Sequence, residues 1–209
     1  MEWLCKMNRL NLHPFAQRLI HAGQELSRSG MAVGNNCQLT AFDDNEQLLW
    51  VTAENSFFSQ LNSEKLNVFT VDTALQSASP LITHPEKLPH RHWESDLQLL
   101  LHIIEANVVL RCLTPYTLAW GQWAQQNCTQ DRCEELTDFN PIFIPDLNDI
   151  PKVLAEVKKA LQENQSIPCI FSGKETPLIL ANSVEKAITQ QYKLEILCKS
   201  RIILEQLAH

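Results

Sequence analysis

Two strand-like segments, Gln38–Phe42 and Leu48–Thr52, are joined by the turn-rich run Asp43-Asp44-Asn45-Glu46. A connection that short has no room for a crossover, so it joins antiparallel neighbours. An amphipathic helix precedes the pair, from Pro14 to Ser29, with Phe15, Leu19, Ala22 and Leu26 on one face and Gly30 just past its end. Asn67–Val71 reads as a third strand, whereas Pro80, Pro85 and Pro89 make Ser77–His92 a loop. The pattern then gives a helix from Glu94 to Ala106 burying Leu97, Leu100, Leu101 and Ile104, and a buried strand over Asn107–Cys112. Asp149 is placed to cap a helix with Pro151 in its first turn and Val153, Leu154, Val157 and Leu161 inward. Pro168–Phe171 and Leu178–Leu180 are short strands, and Asn182 with Glu185 forms a capping box for a last helix toward Leu204. Strands and helices alternate without a strict βαβ rhythm. The expectation is an α/β fold, a three-layer α/β/α sandwich with a central, mainly antiparallel (mixed) sheet, in one domain over 1–209.

Charge narrows the function classes. Lys and Arg number 17 against 24 Asp and Glu, a net charge of −7 with a pI near 5.5. Nucleic-acid binding calls for clustered basic residues, and no such cluster occurs, so nucleic acid is not an expected partner. The strongest apolar run, near Leu99–Ile104, is far short of a membrane span, and the opening Met1–Lys6 lacks the pattern of a signal peptide. Seven cysteines at irregular spacing, with Cys128 and Cys133 as a lone C-x4-C pair, read as reduced thiols packed as small hydrophobes. A cytoplasmic location is expected.

Glycine is scarce, 5 residues in the chain, against an average of roughly 7%. Glycine supplies left-handed backbone and close approach to phosphates, so this chain is a poor host for several phosphate-cradling loops.

Particular segments carry a resemblance. Leu19-Ile20-His21-Ala22-Gly23-Gln24-Glu25-Leu26 with Gly30, Trp50-Val51-Thr52-Ala53 ahead of Leu61–Val71, and Leu113-Thr114-Pro115-Tyr116 come in this order. Pro141-Ile142-Phe143 with Asp149-Ile150-Pro151, then Ser183–Ala187 and Leu194–Cys198, complete it. The series resembles the class II aldolase/adducin superfamily over roughly Leu19 to Leu204, most of all its methylthioribulose-1-phosphate dehydratase branch in methionine salvage. The resemblance implies a class II aldolase-like sandwich, a homotetramer with sites between subunits, and lyase chemistry at a zinc ion held by a His-x-His pair and a third histidine.

The residues at those positions differ. The His-x-His pair falls on Arg111 and Leu113, and the third histidine on Glu175. Arginine does not release its proton to a metal, and leucine has no donor atom. The family's Thr-Gly-Gly-Asn turn corresponds to Asn35-Asn36-Cys37-Gln38, its Ser-Gly to Glu54-Asn55, its Ser-Ser-Glu to His92-Trp93-Glu94 and its His-Gly to Glu175-Thr176. The segment of the catalytic acid is shortened near Cys133-Glu134-Glu135. Only Glu94 keeps a family carboxylate, and it is the one candidate catalytic residue. Arg111, Glu175, Asn36 and Gln38 remain as a degenerate pocket for a small anionic or phosphosugar ligand, with Arg111 also suited to an ion pair with Glu94 or Glu175. The expectation is a non-catalytic homologue with no cofactor, acting as a binding or oligomeric scaffold protein, with Trp120 and Trp123 suited to a subunit contact.

An enzyme alternative stands beside it. His84, His90, His92 and Glu94 present imidazole and carboxylate donors that suit a relocated Zn2+ for a metal-dependent phosphosugar dehydratase or aldolase. The same residues equally describe a proline-rich surface loop and an acid at a helix start.

Overall fold

The expected hairpin is the seed of the sheet. β1 (Cys37–Asp43) and β2 (Leu48–Thr52) pair antiparallel with Thr40 opposite Val51 and Asp43 opposite Leu48. The structure, a computed structural model, describes residues 13–32, 34–35, 37–83, 87–103, 106–127, 142–144, 147, 149–164, 169–172 and 175–207. β3 (Leu66–Asp72) continues the meander beside β2. Against expectation, Ser77–Ile82 is not loop but a fourth strand, β4, antiparallel to β3. β4 is an edge strand, where Pro80 has no second neighbour demanding its missing N–H. β5 (Val108–Cys112) pairs with β1, β8 (Glu175–Ala181) with β5, and β7 (Cys169–Ser172) with β8, all antiparallel. Two-residue β6 (Ile142–Phe143) runs parallel to β7, so the sheet is mixed, in the order β4-β3-β2-β1-β5-β8-β7-β6.

Helices cover both faces. α1 (Pro14–Arg28), α3 (Pro115–Asn127) and α5 (Val184–Leu207) pack one core with Leu110, Cys112 and Trp50, while α2 (Trp93–His102) and α4 (Ile150–Asn164) pack the other with Val109, Leu49 and Leu180. Strand alternation divides the residues between the two, as in β5, where Leu110 and Val109 face opposite layers. α2 ends at His102, earlier than the expected Ala106, because Ala106 and Asn107 turn into β5, the latter donating to Ala181 O at 2.8 Å. Asp149 Oδ1 accepts from Lys152 N at 3.3 Å, as its capping position predicts. At α5 the cap is Ser183, accepting from Lys186 N at 3.2 Å, one residue later than the Asn182 expected. β8 already runs to Ala181, leaving Asn182 to make the exit from the strand.

Trp120 is a core residue rather than a subunit contact: it is 4% exposed and meets Phe171 edge-on at 5.1 Å. Of the two tryptophans, it is Trp123, at 36% exposure, that reaches the surface. The start of α3 is held from a distance. Glu195 of α5 accepts the backbone N–H groups of Tyr116 (3.3 Å) and Thr117 (3.0 Å) and the hydroxyl of Thr114. A carboxylate there satisfies orphan donors and meets the positive end of the helix.

Among the described residues, left-handed backbone is carried by residues other than glycine at three positions. Gln47, Asn55 and Gln76 adopt positive φ of 54°, 57° and 50°. Gln47 and Gln76 lie just before β2 and β4 in the hairpin connections. No helix among the described residues is long and apolar enough to cross a membrane.

Candidate functional site

Arg111 of β5 points into the layer of α2, the same side as its register partner Gln38 and as Thr40 on β1. There its Nε and Nη2 donate to Asp96 Oδ1 of α2 at 3.1 and 2.7 Å. The other carboxylate oxygen, Oδ2, accepts from the Thr40 hydroxyl at 2.9 Å. Thr40 Oγ1 also lies 2.8 Å from His90 Nε2. Because the one hydroxyl proton goes to Asp96, the Thr40 oxygen accepts from a protonated Nε2, which fixes the tautomer of His90. Its Nδ1 then carries a lone pair, and this atom is buried without a partner. Thr40, His90, Asp96 and Arg111 are all at most 3% exposed, so the chain of contacts is closed to solvent.

Local structure positions each member. The segment ahead of α2 is laid along β2 by His90 N to Thr52 O at 3.2 Å and by Glu54 N to Leu88 O at 2.8 Å. Trp93 stacks on Phe69 at 4.4 Å and seats the first turn of α2 on β3. Asp96 then lies on the buried stripe with Leu99, Leu100 and Ile103, while Glu94 faces outward.

Burial, opposed by Asp96 and reinforced by the Arg111 cation, lowers the pKa of His90 to about 4. Burial and Arg111 likewise bring His92 down to about 4. Both imidazoles are therefore neutral at physiological pH.

The sequence-predicted residues are distributed differently from expectation. Arg111 pairs with Asp96, whereas Glu94, two residues earlier on α2, faces outward. Glu94 is exposed and lines a shallow groove of about 460 Å³ with Gln76, Trp93 and Ile150. Gln38 is partly buried directly opposite Arg111, Glu175 opens β8 across from Ser172, and Asn36 lies outside the described residues. His90 points inward to Thr40, while His92 accepts from Arg91 Nε at 2.9 Å, so neither joins Glu94. His84, Cys128, Cys133, Glu134 and Glu135 lie outside the described residues.

Asp96 and Thr40 were missed from sequence, though each carries a signal. Asp96 is an acid inside an apolar helical stripe, and Thr40 shares the strand parity of Gln38, two residues away. A larger groove, about 660 Å³ between α1 and α5, is lined by Arg18, His21, Tyr192 and Lys193, on the layer away from Arg111.

A zinc ion does not fit the donor set. A guanidinium offers no lone pair, both of its observed donor contacts end on Asp96, and Leu113 supplies no ligand atom. Among the described residues, no group of three His, Cys, Asp or Glu is placed to hold a metal.

Comparison with known proteins agrees with this architecture. Residues 17–202 match the family model of the class II aldolase and adducin N-terminal domain. An L-fuculose 1-phosphate aldolase superposes with a TM-score of 0.68 at 14% identity, over 92% of this chain and 87% of that one. A sugar-phosphate aldolase from Thermotoga maritima gives 0.67 at 13% identity, over 91% and 94%. The L-fuculose 1-phosphate aldolase of Glaciozyma antarctica gives 0.66 at 16%, over 89% and 71%. No curated protein sequence matches the chain.

Proposed function

The chain belongs to the class II aldolase and adducin N-terminal domain family, and from that membership we propose that it is a non-catalytic member, a binding or oligomeric scaffold protein. One observation carries the reading. The position at which the family resemblance expects the first metal-binding imidazole holds Arg111, buried and committed to Asp96. An internal cation there joins β5 to α2, a contact that a metal would otherwise mediate. A small anion or phosphosugar at Asn36, Gln38, Arg111 and Glu175 would have to open the Arg111–Asp96 pair, which is buried.

The likeness to the methylthioribulose-1-phosphate dehydratase branch rests on Pro141-Ile142-Phe143 and Asp149-Ile150-Pro151. A homotetrameric assembly is supported by the apolar residues that α5 leaves exposed, Ile196, Ile203, Leu204 and Leu207. A cytoplasmic location is supported by the irregular cysteine spacing.

The test combines metal analysis of protein purified without chelator, an assay with phosphosugars in added zinc, and light scattering after size exclusion. The expected result is no stoichiometric metal, no turnover and a mass that is a multiple of the chain. One zinc per chain, or zinc-dependent cleavage or dehydration, would overturn the non-catalytic reading. A monomeric mass would remove the scaffold.

A further inference from the structure

Cys37 and Cys112 face each other at the end of the β1–β5 ladder. They are direct register partners in an antiparallel pair, and their Sγ atoms are 2.7 Å apart. Directly opposed residues in such a pair have Cα atoms about 4.5–5.5 Å apart, inside the roughly 4.4–6.8 Å span of disulfides. The sulfurs are less than an ångström beyond a bonded separation of about 2.05 Å. From this geometry we propose that Cys37 and Cys112 are a covalent modification site: a dithiol that a low-molecular-weight disulfide oxidises to an intramolecular cross-strand bond.

The two sulfurs have different roles. Cys112 also approaches Met31 O at 3.6 Å. The Cys37 contact, then burial, push the Cys112 thiol well above the ordinary range, which suits it to the second, resolving step. Cys37 opens β1, two residues after the exposed Asn35; both thiols are buried, so a small oxidant reaches them through local opening of this end of the ladder. The Cys37 thiolate attacks the small disulfide, forming a mixed disulfide and releasing one small thiolate. The Cys112 thiolate then attacks the Cys37 sulfur and releases the second. Two electrons pass to the oxidant, and the two cysteine protons end on its two thiols. The new bond ties the first residue of β1 to the last of β5, one register step from Gln38 and Arg111.

Native full-length chain incubated with oxidised glutathione, quenched with iodoacetamide in denaturant and mapped by mass spectrometry tests this. The expected result is a Cys37–Cys112 linked peptide, with a melting temperature that rises on oxidation and falls back with dithiothreitol. Cys37→Ser should lose the link and the reversible rise together, and Cys112→Ser should do the same. Carboxamidomethylation of both residues in the wild-type chain would overturn the proposal. So would glutathione adducts alone, or a link that forms only in the presence of urea. The wild-type map decides the matter even if a variant fails to fold.

Discussion

Arg111 places two N–H groups on one oxygen of Asp96, at 3.1 and 2.7 Å, which leaves the other oxygen for the Thr40 hydroxyl at 2.9 Å. Three elements, β5, α2 and β1, thus meet at a single carboxylate. His90 extends the chain into the segment ahead of α2.

Breaking one half of this pair should be far worse than removing both. Arg111→Leu strands a carboxylate that is 1% exposed, a change that costs about 3–5 kcal/mol. Leucine at both Arg111 and Asp96 removes the unpaired charge and should recover most of that loss. Urea unfolding of the two single variants and the double one measures the coupling. A double variant no more stable than Arg111→Leu would show that the pair is not acting as a unit.

Acidification should weaken the fold through the histidines. In the folded chain His90 and His92 titrate near 4, against 6.5 when exposed. As pH falls below 6.5 the unfolded chain takes up protons that the folded chain refuses, so stability drops between about 6.5 and 4 and then levels off. For His90 the loss is at most about 3 kcal/mol; His92, half-buried, contributes less because solvent screens it. Denaturant titrations across that range should slope downward, and His90→Gln should flatten the slope. A wild-type stability that does not change over the window would contradict the burial of a neutral imidazole.

Gly23 lies in α1, where alanine is ordinarily the better helix former. A Cβ there would stand 2.7 Å from Leu61 Cδ2 and 3.3 Å from the Phe58 ring. Overpacking of that kind costs about 1–3 kcal/mol, against a propensity gain near 1 kcal/mol. Gly23→Ala should therefore lower the melting temperature, and adding Leu61→Ala should relieve the clash. A rise on Gly23→Ala alone would mean that Leu61 moves aside without cost.

Gln76 offers the reverse experiment. Its left-handed backbone, φ 50°, carries a penalty of about 1–2 kcal/mol for an L side chain, and its carbonyl contact with Gln98 does not depend on its side chain. Gln76→Gly should stabilise the chain by up to about 1 kcal/mol, after the entropy that glycine adds to the unfolded state. Thermal melts of the variant would show this directly, and a lower melting temperature would contradict it.

Periodicity exposed the scaffold well because helices and strands bury one face each. Leu19, Ala22 and Leu26 mark α1, and Val153 and Val157 mark α4, without knowledge of their partners. The strand β4 was hidden because Pro80 argues against a strand until the strand is known to lie at an edge. Trp120 suggested a surface role because its partner Phe171 comes from a distant strand. The candidate site was legible only as an anomaly: Arg111 stood out where a metal ligand was expected. Its counter-ion did not, because Glu94 and Asp96 are both acids at the start of one helix, and only helix rotation decides which of them enters the core. The glycine shortage suggested lost loops, yet Asn55 retains a left-handed turn, since asparagine tolerates that conformation better than most residues.

The reach of Glu195 has a consequence for how the chain is made. Synthesis proceeds from the N-terminus, and the donors that Glu195 satisfies at Tyr116 and Thr117 precede it by 79 and 78 positions. The β1–β4 meander pairs neighbours in sequence and is able to close as it emerges from the ribosome. The opening turn of α3 has to wait, as does β5, whose second neighbour β8 also comes late. The growing chain therefore carries an open sheet edge at β5 until β8 arrives and an unsatisfied α3 start until α5 follows, and in that interval it is exposed to chaperones and proteases.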